Sequence, residues 1–221
     1  MKIAILGGSF NPIHVGHLAL ADAVCCSLKY DKILFVPTYK PPHKTLALSS
    51  ASSDDRFLMV QEAIRGDERF VAEPCELERG GVSYTWDTVC FLEKKYESVL
   101  EGKIGVIFGE DLLGDFDKWE NSSLLAQRAD LILAVRPREK TCAEKNPQIE
   151  NVPSSRYGVN PSDWTRDTFP YPHKCVENPR LELSSSEIRR LIACGGAWRY
   201  LVSEGVFHYI ENGHLYGYRT N

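Results

Sequence analysis

Apolar residues follow two alternating patterns along this chain. In the first they form short continuous runs that end at glycine, proline or polar residues, which is typical of buried strands. In the second they recur every three or four positions, which is typical of helices with one buried face. The runs predict strands at Lys2–Leu6, Ile33–Val36, Phe70–Cys75, Ile104–Phe108 and Leu131–Val135.

Segments with helical spacing lie between these strands and after them. Ser52 and Ser83 each precede such a segment, and we expect both side chains to cap a helix. Gly213 follows the last segment and is placed to end it. The predicted helices are His14–Tyr30, Asp54–Arg65, Tyr84–Tyr96, one or two short ones within Asp111–Ala126, Ser185–Cys194 and Glu204–Asn212.

Strands that alternate with helices favour a parallel sheet covered by helices on both faces. We therefore expect an α/β fold, a doubly wound parallel sheet of about five strands, in a single domain over residues 1–221. A small C-terminal helical part is expected at 181–221. Residues 138–180 are rich in Pro, Asn and Ser without sustained periodicity, which predicts a long loop or an insertion.

Composition narrows the class of protein. The 221 residues include 26 Lys and Arg against 30 Asp and Glu, and this net charge of −4 argues against a general nucleic-acid binder. No apolar run approaches the roughly 18 residues that a membrane helix needs. The 7 cysteines are scattered and form no Cys-x-x-Cys, which favours reduced thiols in a cytoplasmic protein. The sequence leaves open whether the chain forms a homo-oligomer.

The segment between the first strand and the first helix carries the clearest chemical signal. Gly8, Ser9 and Phe10 lie where backbone N–H groups and the helix dipole favour an anion. His14 and His17 are three residues apart, so their imidazoles share a helical face. Such a pair could also bind a metal or serve as polar residues of a helix start. No third ligand is nearby, so we expect no metal site, and the position after a strand favours phosphate.

A second polar segment opens the helix predicted near residue 185. Ser184 and Glu187 have the spacing of a capping box, and Ser185 and Arg189 add a hydroxyl and a guanidinium. By itself this pattern also describes a capped helix on the surface. Together with the first segment it indicates a polyphosphate held between two helix starts.

These two segments resemble the signatures of a known superfamily. Gly8–Leu18 resembles the His-x-Gly-His signature of the nucleotidyltransferases, and Ser184–Arg189 resembles their Ser-Ser/Thr-x-x-Ile-Arg signature. Asn11 stands where the family often has Asp, and Ser186 where Thr is common. Further segments resemble the bacterial nicotinate-nucleotide adenylyltransferases: Val36-Pro37, Pro41–Lys44, Glu76–Thr88, Phe108–Leu112 with Trp119, Arg136-Pro137, and Tyr209-Ile210 with His214–Tyr216.

The resemblance implies a Rossmann-like fold and transfer of AMP from ATP to nicotinate mononucleotide, with Mg²⁺ accompanying ATP, in NAD biosynthesis. It implies catalytic roles for His14, His17 and Arg189. It implies ATP-binding roles for Gly8, Ser9, Phe10, Gly109, Asp111, Arg136, Ser184 and Ser185. It implies mononucleotide-binding roles for Lys44, Ser83, Tyr84, Thr85 and Trp119.

Two other interpretations stay open at this point. Within the superfamily, the nearest competing assignment is to the pantetheine-phosphate adenylyltransferases, but they usually have Thr in place of His14 and a shorter chain. A nucleotide sensor without catalysis would bind ATP but would not need His17 and Arg189 at a reacting phosphate. Lys44 could instead be a charged residue of a loop with no role in binding. Tyr84 and Trp119 could instead be aromatic residues of the hydrophobic core.

Overall fold

A computed structural model describes residues 1–42, 51–135, 161–178, 181 and 183–219. Its centre is a parallel sheet in the order β3-β2-β1-β4-β5-β6. The strands are β1 (Ile3–Gly8), β2 (Lys32–Pro37), β3 (Phe70–Ala72), β4 (Gly105–Gly109), β5 (Asp130–Val135) and β6 (His173–Glu177). The predicted α/β class and the parallel sheet are confirmed.

Seven α-helices connect the described strands or follow them. They are α1 (Val15–Leu28), α2 (Ser53–Ala63), α3 (Cys75–Arg79), α4 (Thr85–Lys95), α5 (Ser122–Arg128), α6 (Ser185–Ala193) and α7 (Glu204–Asn212). Short 3₁₀ helices occupy Glu110–Lys118, Pro161–Asp163, Arg199–Leu201 and Leu215–Gly217. Ser52 caps α2 as expected, because its hydroxyl accepts a hydrogen bond from Asp55 N, and α7 ends at Gly213 as predicted.

Alternate residues of each strand face two separate cores, as the period of two in a strand requires. Leu6 and Phe35 belong to the core that α1, α2, α6 and α7 cover. Ile5 and Leu34 belong to the opposite core, beneath α4, α5 and the 3₁₀ helix at Glu110–Lys118. The sheet is therefore doubly wound, and the C-terminal helices α6 and α7 pack onto the same side as α1.

The strand order reverses between β1 and β4, which are neighbours in the sheet. Ala4 pairs with Gly105 and Leu6 with Ile107, so both strands reach the same edge, β1 with Gly8 and β4 with Gly109. A crevice at such a switch point is where open α/β sheets bind ligands. The topology thus places the first polar segment at the expected ligand edge.

Three sequence predictions are corrected. A sixth strand, β6, lies inside the segment 138–180 that was expected to be a loop, and it pairs with β5 from His173 to Glu177. The third strand ends at Ala72, and Cys75 begins α3 instead. Ser83 does not cap α4, because Tyr84 is the N-cap residue and no side chain caps this helix. Short edge strands carry too few apolar residues to show a period, which explains the first two errors.

Candidate active site

Two stacked imidazoles lie at the start of α1. The ring centroids of His14 and His17 are 3.8 Å apart with an interplanar angle of 30°. His14 N donates to His17 Nδ1 at 3.2 Å, so neutral His17 carries its proton on Nε2. A Cβ atom on Gly16 would lie 3.1 Å from the His14 ring. Glycine at position 16 therefore makes room for the His14 ring as well as for a ligand.

Burial keeps both imidazoles neutral near pH 7. It lowers the pKa of His14 to about 4 and holds the pKa of His17 well below 6.5, with the neighbouring His14 lowering the latter further. His14 Nδ1 is buried and has no hydrogen-bond partner among the described residues. The pair therefore offers neutral N–H donors, not permanent charges, at the edge of the sheet.

The turn that joins β1 to α1 has an unusual backbone. Phe10 is buried with φ of 44°, in the left-handed region that a residue with a side chain seldom adopts. Its ring meets the His17 ring edge-on at a centroid distance of 5.1 Å. A Cβ atom on Gly8 would lie 3.3 Å from the Phe10 ring, so glycine at position 8 leaves space for that ring.

The start of α6 contacts this turn, so the structure brings the two polar segments together. Ser184 caps α6 by accepting a hydrogen bond from Glu187 N at 3.1 Å, as its spacing predicted. Ser185 Oγ donates to Pro12 O at 2.9 Å, and Arg189 Nη1 donates to Asn11 O at 2.6 Å. Two helix starts, α1 and α6, therefore meet beside the histidine pair, an arrangement that suits a bound anion.

Asn11 links this turn to two distant parts of the chain. Its buried Oδ1 accepts hydrogen bonds from Tyr216 Oη at 2.8 Å and from Ala51 N at 3.2 Å. A carboxylate would accept the same two bonds, and Asn does so without adding a negative charge beside a phosphate site. Asn at this position is therefore compatible with the same turn.

Gly109 and Asp111 lie at the neighbouring strand end. A Cβ atom on Gly109 would be 2.3 Å from Asp111 Oδ1, so the carboxylate of Asp111 lies directly against the Gly109 backbone. Asp111 itself is exposed in the first turn of the 3₁₀ helix at Glu110–Lys118. It faces solvent at the ligand edge, where its carboxylate is placed to accept a hydrogen bond from a sugar hydroxyl.

The segment that precedes α4 packs against the buried carboxyl group of Glu76. Thr88 Oγ1 donates to Glu76 Oε1 at 2.7 Å, and the Ser83 and Thr38 hydroxyls face the same carboxyl. Burial raises the pKa of Glu76, and these hydroxyls and Arg79 oppose that rise. Ser83 is itself buried, and its Oγ accepts a hydrogen bond from Tyr39 N at 3.2 Å, so it fastens two loops together.

The predicted residues around α4 differ in exposure. Tyr84 and Thr85 are half-buried at the first residues of the helix, where backbone N–H groups have no partner within the helix. Trp119 is half-buried and packs against Phe108 and Phe116 at centroid distances of 5.7 and 5.2 Å. Trp119 therefore belongs to an aromatic cluster while keeping part of its surface exposed.

Two predicted site residues, Lys44 and Arg136, lie outside the described residues. Across the described ranges, no group of three or more His, Cys, Asp or Glu side chains is arranged to hold a metal ion. In the same ranges no helix is long and apolar enough to cross a membrane.

Sequence reasoning missed Arg56 and Tyr216. Arg56 Nη1 donates to Ser9 O at 2.7 Å, and Tyr216 bonds to Asn11 as described above. A signal for Arg56 was present, because it precedes the buried Met59 and Val60 of α2 by three and four residues. An arginine on the apolar face of a helix indicates a buried role. Tyr216 belongs to a segment that resembles the family, but no local pattern predicted its contact with Asn11.

Comparison with known proteins gives matches over nearly the whole chain. The profile of the cytidylyltransferase-like family matches residues 5–191. A protein of Treponema pallidum described as a probable nicotinate-nucleotide adenylyltransferase is 39% identical over 217 residues, which is 98% of this chain and 99% of the relative. A protein of Borreliella afzelii with the same description is 33% identical over 221 residues, all of both chains.

Solved structures support the fold. The Plasmodium falciparum nicotinic acid mononucleotide adenylyltransferase complexed with APC superposes with a TM-score of 0.69 at 18% identity. The match covers 99% of this chain and 98% of that one. The α/β architecture described above is therefore shared along its whole length.

Proposed function

Since this chain belongs to the cytidylyltransferase-like family and, within it, to the nicotinate-nucleotide adenylyltransferases, we propose that it transfers AMP from ATP to nicotinate mononucleotide. The products are nicotinate adenine dinucleotide and pyrophosphate, and the step belongs to NAD biosynthesis. The main observation behind this proposal is that the two signature segments are in contact. Ser185 and Arg189 donate hydrogen bonds to the turn between β1 and α1, beside the stacked pair of His14 and His17.

The chemistry explains why no general base is needed. The nucleophile is the phosphate of the mononucleotide, whose second pKa is near 6 by analogy with phosphoserine, so it is mostly ionised at neutral pH. The bond from the α-phosphorus to the bridging oxygen breaks as the new P–O bond forms, and pyrophosphate leaves with that electron pair. The protein must hold two anions in line and offset their charge.

On the ATP side, donors from both helix starts suit this task. His17 carries its proton on Nε2 and donates to the α-phosphate, where charge develops. The N–H groups of the Gly8–Phe10 turn and His14 surround the same phosphate. Ser184, Ser185 and Arg189 contact the β- and γ-phosphates, which become the leaving group. Gly109 and Asp111 lie beside the adenosine, with Asp111 on the ribose, whereas the ATP-binding role of Arg136 rests on the resemblance of its segment alone.

Nucleotidyltransferases of this kind generally use a divalent metal with ATP, and here we propose Mg²⁺. When bound with ATP, the ion would offset the negative charge of the phosphates. The donors around the turn are N–H and O–H groups, which bind phosphate and not a cation. The chain's residues therefore fit an ion that the phosphates hold, without a protein cage.

On the mononucleotide side, the roles rest on the segment before α4. Tyr84, Thr85 and Trp119 line the nicotinate ring site and Ser83 orders its wall, whereas the mononucleotide-binding role of Lys44 rests on the resemblance of its segment alone. The proposal includes a cytoplasmic location, which the free thiols of the six described cysteines support. Whether the enzyme works as a homo-oligomer stays a prediction to be tested by its mass in solution.

Pyrophosphate release tests the proposed function. The purified chain is assayed with ATP and Mg²⁺, and with nicotinate mononucleotide, nicotinamide mononucleotide or phosphopantetheine as acceptor. We expect turnover with nicotinate mononucleotide and a loss of about 10²–10³-fold in kcat for His17→Ala. ATP binding without pyrophosphate release would instead identify a nucleotide sensor, and turnover with phosphopantetheine would assign the neighbouring family.

A further inference from the structure

A buried arginine lies behind the turn that joins β1 to α1. Arg56, in α2, is 1% exposed, although arginine is almost never fully buried without a partner. Among the described residues no carboxylate forms an ion pair with Arg56, and its Nε has no hydrogen-bond partner. An uncompensated buried cation is costly to the folded state, so its presence calls for a role in the site.

Within the part of the chain that the structure describes, the side chain of Arg56 makes one hydrogen bond, to the backbone of this turn. Its Nη1 donates to Ser9 O at 2.7 Å. In a trans peptide the C=O of one residue and the N–H of the next point in opposite directions. The Ser9–Phe10 peptide therefore directs the Phe10 N–H away from Arg56.

Phe10 gives an independent reason why this peptide must be held. Its φ of 44° is set by the orientation of the Ser9–Phe10 peptide relative to the Phe10 Cα. A residue with a side chain reaches that region only against steric repulsion, and it stays there only when its surroundings enforce it. Arg56 contacts the very peptide whose rotation would relieve that strain.

The neighbouring carbonyl groups of the turn follow the same scheme. Arg189 holds Asn11 O and Ser185 holds Pro12 O, each from α6. With Ser9 O held by Arg56, three carbonyl oxygens of the turn are bonded to side-chain donors. Carbonyl oxygens repel phosphate, so turning them toward these donors leaves the N–H groups to face an anion.

We propose that Arg56 is a positioning residue of the phosphate site, which fixes the Ser9–Phe10 peptide so that the Phe10 N–H faces ATP. No carboxylate of the described residues pairs with its charge, which is balanced when the polyphosphate binds. This inference rests on the proposed function for the identity of the anion. It predicts that Arg56 strengthens phosphate binding without strengthening the empty fold.

Arg56→Met tests this role, because methionine keeps the length and removes the charge. We expect the melting temperature (Tm) of the empty variant to equal or exceed that of the native protein. The rise in Tm that inorganic pyrophosphate gives the native protein should fall by at least half. KM for ATP should rise at least about tenfold while KM for nicotinate mononucleotide changes less than about twofold. Arg56→Lys restores the charge and should recover part of the ATP affinity.

Arg65→Met is the matched control, since Arg65 lies just beyond the same helix and is exposed. Equal losses in KM for both substrates together with a lower Tm would mean a purely structural role and would overturn the inference. So would an unchanged response to pyrophosphate. If the native chain turns over while Arg56→Met binds ATP normally, only this inference fails. If pyrophosphate binding depends on Arg56 but the native protein does not release pyrophosphate from ATP with nicotinate mononucleotide, the inference about Arg56 stands and only the proposed function fails.

Discussion

Arg189 donates a hydrogen bond of 2.6 Å to the main-chain oxygen of Asn11, a residue 178 positions earlier in the sequence. Its second nitrogen, Nη2, bonds to Ser186 Oγ at 3.1 Å. The planar guanidinium thus spans from α6 to the turn after β1 and holds the two signature segments together.

That geometry predicts different effects at adjacent arginines. Arg189→Lys keeps the charge but cannot make both bonds, so kcat/KM for ATP should fall at least about tenfold, since a hydrogen bond from a charged donor contributes about 1.5–3 kcal/mol. Arg190 points to solvent and pairs with Glu187 at 2.6 Å. Steady-state kinetics of Arg190→Lys provide the matched control, with an expected change below about twofold. Equal effects would contradict the assigned helix face.

Gly16 is predicted to be essential to the histidine pair. In Gly16→Ala the new Cβ lies 3.1 Å from the His14 ring and should displace it. A displacement of a few tenths of an ångström relieves this contact, and since a misplacement of about 1 Å can cost up to about 10²-fold in rate, we expect kcat to fall by about three- to tenfold.

Gly7→Ala is the control for this change. A Cβ on Gly7 meets no described atom within 4 Å, so its effect on kcat should be much smaller. Thermal unfolding of both variants separates a rate effect from a folding defect. Native kcat in Gly16→Ala would show that the ring arrangement does not matter for the reaction.

The buried histidines predict how stability depends on pH. The folded pKa of His14 is about 4 against the ordinary 6.5, so between these values the unfolded chain binds more protons. Stability is therefore full above pH 6.5 and is lost as pH falls toward 4, by about 3 kcal/mol for His14. Urea unfolding from pH 7.5 to 5 measures this slope.

His14→Gln should flatten that slope, while His208→Gln on the exposed side of α7 controls for the loss of an imidazole as such. An unchanged slope in His14→Gln would mean that the protonation of His14 does not limit stability in acid.

Because both imidazoles are neutral at pH 7, kcat should not decline as pH rises from 6.5 to 8.

Glu76 predicts a pH dependence of opposite sign. Its pKa is raised by burial, so above pH 4.5 the folded protein holds a proton that the unfolded chain has lost, and stability falls as pH rises through the folded pKa. Glu76→Gln removes the cost of ionising this buried carboxyl. The Tm of the variant minus that of the native protein should therefore increase as the pH is raised from 4.5 to 7.5. Glu78→Gln, exposed on the same short helix, is the matched control. A constant difference would show that Glu76 does not titrate in this way.

Selectivity for the acid substrate is the last prediction. A carboxylate accepts hydrogen bonds only, whereas a carboxamide also carries an N–H₂ donor. The start of α4 offers backbone N–H groups and the Thr85 hydroxyl, and residues 82–93 contain no Lys or Arg. We expect kcat/KM for nicotinate mononucleotide to exceed that for nicotinamide mononucleotide by at least about 10²-fold.

Competition between the two mononucleotides measures that ratio directly. Thr85→Val removes one donor at constant shape and should reduce the preference, whereas Thr165→Val, far along the chain in a surface turn, should not. A ratio near one would remove the assignment to the acid-specific enzymes and leave adenylyl transfer intact.

The sequence alone was enough for the α/β class and for locating the two polar segments that the fold brings together. Strand runs and helical spacing are local patterns, and the caps at Ser52 and Ser184 depend on residues only three positions away. The positions of the helix starts and of the polar segments along the chain could therefore be predicted before any tertiary contact was known.

The tertiary structure decided what no local pattern encodes. The pairing of the short strand β6 with β5, the contact of Tyr216 with Asn11, and the hydrogen bond from Tyr39 N to Ser83 Oγ each join residues far apart in sequence. Arg56 is the clearest example. Its helical spacing from Met59 and Val60 indicates that it is buried, but only the fold shows that its hydrogen-bond partner is Ser9 O. Pairing across the sheet and between helices depends on three-dimensional packing, which a single sequence leaves unspecified.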